Sequence, residues 1–270
     1  MRAPALVWMC WKVEGPCAIG QWAVGPLGGE VPHRPSPSGS NLDAAKIVYS
    51  ASTWVVPILI AITFHEAAHA FTAWRLGDDT AFRQGRVTFN PLKHMDPFGT
   101  IVLPALLFLT GAPFLFGWAK PVPIAYQRLS SPRRDMALVA IAGPMTNVFL
   151  AVASAVLFHL VWLVPESAVP WLRQTLYQSI VLNLVLAIFN MIPIPPLDGS
   201  RIAVSLLPSA LARPFAKLER FGFLILLGVI FLLPMLGRQL GVDLNLFRWL
   251  IAIPLAYMTP VFLWIAGLTR

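Results

Sequence analysis

The sequence predicts an all-α polytopic membrane protein. About five to six transmembrane helices are expected, with a re-entrant segment and a short β element after the first of them. Three observations carry this. First, 57% of residues are hydrophobic and only 12% charged, against about 25% charged in soluble domains, and the mean hydropathy is +0.70. Second, several stretches of 17 or more residues carry no charge, which is the length a bilayer-crossing helix needs. Third, the bases behind the net charge of +8 lie between those stretches. That is the pattern of loops that set membrane orientation, not of a nucleic-acid surface, so no nucleic-acid partner is expected and the lipid bilayer is.

Residues 1–44 read as a disordered or weakly structured extension to a domain spanning 45–270. Gly25, Gly28 and Gly29 are followed by a Pro/Ser/Gly run from Pro32 to Ser40. The apolar part near Val7-Trp8-Met9 is short and meets Lys12 and Glu14, so it makes neither a span nor a clear signal peptide. The two cysteines, Cys10 and Cys17, both fall in this extension. The remaining chain therefore has neither a disulfide framework nor a cysteine metal site.

The first span runs from about Ile47 to Trp74, and Pro57 is placed to kink it. Its inner end carries Phe64-His65-Glu66-Ala67-Ala68-His69-Ala70. Two histidines four apart present both imidazoles on one helical face, half of a tetrahedral zinc site. Glu66 is turned about 100° from His65, within reach of a water on the metal without being a ligand. At the chain's own His and Glu frequencies this pattern arises by chance in roughly one such chain in 600. Ionisable groups inside a membrane segment also mark function by default. A catalytic zinc wants a third ligand and an open corner.

Residues 75–97 are polar and basic, and Gln84 to Pro91 reads as a short strand or extended loop. His94 and Asp96 are candidate third ligands, although the flanking Pro91 and Pro97 favour a loop-shaping role. Residues 98–118 are apolar but broken by Pro104, Gly111, Pro113 and Gly117, with basic loops on both sides. A re-entrant segment reconciles these facts, since broken backbone at membrane depth is tolerated where protein buries it. The next span, about Met136–Val164, holds Gly143-Pro144-Met145-Thr146-Asn147. Asn147 could be interhelical glue or face a substrate. His159 reads as interfacial.

A fourth apolar segment, about Leu176–Ile192, carries Asn183 and Asn190 on one face and ends in Pro193-Ile194-Pro195-Pro196-Leu197-Asp198-Gly199. Asp198 is either a helix cap or a metal ligand. Two more spans follow, about Phe221–Leu236 and Trp249–Leu268. With 98–118 re-entrant, loops 75–134 and 201–220 share one side and hold twelve Lys/Arg, while 165–174 and 237–248 hold three. The base-rich side is then cytoplasmic, and His65, His69 and Asp198 fall in the same membrane half.

The chain resembles the site-2 protease family of intramembrane zinc metalloproteases. The resemblance is carried by the first-span motif, by Asn90-Pro91-Leu92-Lys93-His94-Met95-Asp96-Pro97, by Gly117-Trp118-Ala119-Lys120-Pro121-Val122-Pro123, by Ala142 to Asn147, and by Asn190 to Gly199. It implies that His65, His69 and Asp198 hold one Zn2+ per chain. It also implies that Glu66 is the general base and that Asn147 faces the substrate or the oxyanion. The compact type without a PDZ domain is implied, cleaving transmembrane protein substrates near the cytoplasmic side of the cell membrane. The alternatives are a divalent-metal transporter and a non-cleaving membrane receptor.

Overall fold

The computed structural model describes residues 7–11, 40–109, 114–246 and 248–269. Among these, five helical segments are long and apolar enough to cross a membrane: Val48–Arg75, Pro132–Leu163, Glu166–Met191, Ser209–Leu240 and Arg248–Ile265. The chain is a multi-pass membrane protein. Large apolar side chains such as Val55, Ile60, Phe149, Leu224, Tyr257 and Trp264 stand exposed along these segments, as surfaces facing lipid require.

Strand β1 (Val7–Trp11) lies within the expected unstructured extension, the rest of which, up to residue 39, lies outside the described residues. Helix α1 (Ser40–Arg75) then runs unbroken past Pro57. Short helices α2 (Thr80–Arg83) and α3 (Pro91–His94) follow, and Asn90 Oδ1 caps α3 by accepting from Leu92 N at 3.0 Å. A π-helical turn, Pro97–Val102, leads into α4 (Leu103–Leu109). At 1.5 Å per residue this helical piece is about 20 Å long, too short to cross a bilayer. Strand β2 (Phe114–Trp118) pairs antiparallel with β1, Val7 opposite Trp118 and Trp11 opposite Phe114.

Of the two readings of Gln84–Pro91 the loop holds: Gly85 (φ +63°) turns the chain there and Asn90 starts a helix. The β element after the first span is β2, some thirty residues later, paired with a strand from the N-terminal extension. One expectation needs correcting. The fourth segment begins earlier than Leu176. Pro170 sits in the first turn of α6 (Val169–Met191), where its missing N–H costs nothing, so the polar stretch through Arg173 is helical and not loop.

The other elements are α5 (Pro132–Leu157), α7 (Asp198–Leu206), α8 (Ser209–Lys217), α9 (Gly222–Leu227), α10 (Leu233–Leu240) and α11 (Ile253–Ile265). Helix α6 is central: 61% of its span is buried, against 22–39% for the other four, and its apolar residues are spread over every face, as in an enclosed helix. Helices α1, α5 and α6 pack on one another. Ala151, Ala155, Ile180, Val181 and Leu184 join Leu255 and Phe262 in one core. Phe189, Leu197, Leu226, Ile230 and Ile251 form a second. Small residues on α1 permit the close approach: Ala61 meets α6 at Leu182 and Leu186, and Ala73 meets α5 at Val139. Gly199 lets the start of α7 fold back on the end of α6, since a Cβ there would stand 2.3 Å from Met191 O.

Candidate metal centre

His65 and His69 sit one turn apart on α1, their rings nearly perpendicular at 82° with centroids 4.6 Å apart. Their Nε2 atoms are 2.9 Å apart, and each lies 3.2 Å from Asp198 Oδ2. All three side chains are buried. They are the group of His, Cys, Asp and Glu among the described residues with ligand atoms within 4.8 Å of one another. Asp198 is the first residue of α7, and its side chain caps nothing.

The donor set fits zinc. Tetrahedral bonds of about 2.0–2.1 Å place ligand atoms about 3.3–3.4 Å apart, within a few tenths of the separations here. Neither oxygen of Asp198 makes a hydrogen bond among the described residues, and neither does Glu66 Oε1. Buried carboxylates left in this state want a cation or a proton. Gly143 of α5 lies across from the pair: a Cβ there would stand 2.5 Å from His69 Nε2 and 2.6 Å from His65 Nε2. Helix α5 runs through Gly143-Pro144 without a break, so Gly143 holds its place against the two rings.

Glu66 is fully buried, and its Oε2 accepts from Val122 N at 3.2 Å. Val122 stands between Pro121 and Pro123, which have no N–H and fixed φ, so this stretch presents one donor in one direction. Arg86 Nη2 donates to Lys120 O at 2.6 Å and Lys120 N donates to His94 O at 2.9 Å. The basic loop after α1 thereby clamps the segment that touches Glu66.

The remaining candidates lie elsewhere. His94 Nε2 donates to Thr88 O at 2.9 Å, and Asp96 Oδ1 accepts from Phe98 N and Gly99 N. Both shape the loop. His159 Nε2 donates to Ile265 O at the far end of α5. Asn147 sits behind His65: its Oδ1 is 2.6 Å from His65 Nδ1, and its Nδ2 donates to Asn183 Oδ1 at 2.9 Å. Its amide is thus engaged between helices, as the interhelical alternative for this residue has it. In the sequence Asn183 stands out only by its spacing from Asn190 and as an amide in an apolar span.

Comparison with known proteins agrees with this centre. The family model described as "Peptidase family M50" matches residues 159–234. "Putative zinc metalloprotease YwhC" of Bacillus subtilis is 42% identical over 195 residues, covering 71% of this chain and 85% of that protein. The chain belongs to peptidase family M50. "Putative zinc metalloprotease Rip2" of Mycolicibacterium smegmatis is 33% identical over 180 residues, covering 67% of this chain and 66% of its own length. MJ0611 of Methanocaldococcus jannaschii, again so named, is 31% identical over 144 residues, covering 52% and 62%. No solved structure matches. As an M50 member, the site-2 protease family, the chain is a membrane zinc metalloprotease, and its relatives' names leave the transporter and receptor alternatives without support.

Proposed function

We propose that this protease cleaves transmembrane segments of other proteins, at a zinc site reached from the cytoplasm. One observation carries the reading: His65 and His69, inside a helix of membrane-spanning length, meet Asp198, which follows the end of another, with Glu66 one position from His65. The cytoplasmic assignment is supported by the twelve-to-three distribution of Lys and Arg between the two sides.

In this reading His65, His69 and Asp198 hold the zinc, which supplies a Lewis acid that polarises a peptide carbonyl and acidifies water. Glu66 does the proton work. Val122 N–H holds Oε2, so Oε1 is the atom left to take a proton from the attacking water and return it to the departing amide nitrogen. Asn147 and Val139 hold the outer ring nitrogens of His65 and His69, at 2.6 and 2.7 Å, which keeps both rings aimed. A transmembrane substrate must unwind first, because its helical carbonyls are already bonded. Strand β2 already accepts an antiparallel strand, and it leads within four residues to Val122. An extended substrate pairing along it would arrive beside Glu66.

The test compares membrane-protein fragments from wild-type and Glu66→Gln cells, with zinc content measured on both purified proteins. Glu66→Gln should retain zinc and lose activity by roughly 10²–10⁴-fold. Fragment profiles that stay identical between the two would refute intramembrane cleavage. Full activity in a zinc-loaded Glu66→Gln protein would remove Glu66 as the base.

A further inference from the structure

The two histidines are oriented by acceptors of different kinds. His69 Nδ1 lies 2.7 Å from Val139 O, a main-chain carbonyl that can only accept. The ring proton therefore sits on Nδ1, and Nε2 keeps its lone pair. His65 Nδ1 faces the side-chain amide of Asn147, a group that could present either oxygen or NH2. With Oδ1 toward the ring, as here, His65 carries its proton on Nδ1 and Nε2 is free to coordinate. With the amide reversed, the NH2 would donate to Nδ1 and drive the proton onto Nε2, the atom facing Asp198. The two orientations have the same shape, so packing does not choose between them.

The next bond chooses. Asn147 Nδ2 donates to Asn183 Oδ1 at 2.9 Å, while the other acceptor, Ala61 O, is at 3.4 Å, the edge of hydrogen-bond range. Asn183 is also an amide, and its Nδ2 donates to Ser179 O at 2.8 Å and to Ser179 Oγ at 3.3 Å. Ser179 O is a helix carbonyl and cannot reverse. Donation therefore runs one way, from the ring on α1 through two amides to a main-chain carbonyl of α6. Both asparagines are fully buried, so water cannot substitute for a missing member.

We propose that Asn183 is a positioning residue that fixes the tautomer of His65 through Asn147, and so sets the affinity of the site for zinc. This rests on the reading of His65 as a zinc ligand. The test is zinc affinity of the full chain in detergent, by competition with a chelator and with zinc as the only probe. Asn183→Leu should raise the zinc Kd by 10- to 100-fold, the usual cost of losing an outer partner of a metal-bound histidine. Asn147→Leu should do the same, and the double variant should be no worse than Asn147→Leu alone, because both act on one ring nitrogen. Ser154→Ala removes the 2.8 Å Ser154–Ser179 contact between the same two helices but leaves the amides in place. It should bind zinc as wild type does.

Unchanged affinity in Asn183→Leu, additive losses in the double variant, or an equal loss in Ser154→Ala overturns the proposal. If Asn183→Leu does not fold, Asn183→Asp serves. In its neutral form it reproduces both bonds and should keep wild-type affinity, and a tenfold loss there overturns the proposal as well. A wild-type protein that binds no zinc would instead refute the reading of the site itself.

Discussion

A methyl group at Gly143 would enter the space between the two Nε2 atoms, at 2.5 Å from one and 2.6 Å from the other. The rings cannot easily retreat, since each is tied at Nδ1 by a bond of 2.7 Å or less. Gly143→Ala is therefore expected to weaken zinc binding by at least about tenfold with little change in helix content. Chelator competition and circular dichroism check the two halves of that statement. Asp198→Asn replaces the one anionic group of the proposed ligand set by a neutral amide, and zinc stoichiometry should fall well below one per chain. Unchanged stoichiometry would hand the third position to another group. The histidine pair and Glu66 were legible in the sequence because one motif on one helix fixes their relation. The role of Gly143 was not, because it consists of an absent side chain facing residues from another helix.

At the scale of elements, the loop between α1 and α5 holds Glu66, the proposed base, in place. Arg86→Gln loses the carbonyl clamp on Lys120, so Val122 is less well aimed at Glu66. We expect zinc content to hold while activity drops by about 10- to 100-fold, the cost of a small misplacement at a reacting centre. Equal losses of zinc and activity would show instead that the whole loop had collapsed. His94 on α3 adds a pH effect. Burial lowers its pKa below the ordinary 6.5, so below about pH 6.5 the unfolded chain takes up a proton that the folded form resists. Stability is then full above about pH 6.5 and declines as pH falls through that value. His94→Gln keeps a donor for Thr88 O, and its thermal midpoint should fall less than that of wild type between pH 7.5 and pH 5.

At the scale of the whole molecule, zinc would tie α1 to α7 across more than a hundred residues of chain. Removing it should lower the unfolding temperature, since a ligand bound only by the folded state at 1,000 times its Kd contributes about 4 kcal/mol. Thermal scans with and without chelator measure this, and coincident curves would show that the site holds no metal. Orientation can be checked on a Cys10→Ser, Cys17→Ser background with an impermeant thiol reagent. Arg213→Cys should label only from the cytoplasmic face and Val242→Cys only from the outer face. The reverse pattern would place the zinc site in the other half of the membrane.

The sequence by itself determined the spans, the histidine pair with its glutamate, and the uneven distribution of bases, because hydropathy and helical periodicity are local properties of the chain. Its error was also local: a helix start hidden by polar residues around Arg173. Tertiary structure alone decided that the Asp198 carboxylate meets both imidazoles, that Val122 N–H meets Glu66, and that Asn147 turns its oxygen to His65. Those outcomes depend on the rotation and depth of one helix against another. Close contacts at alanine and glycine set them, and no periodicity within a single helix encodes them.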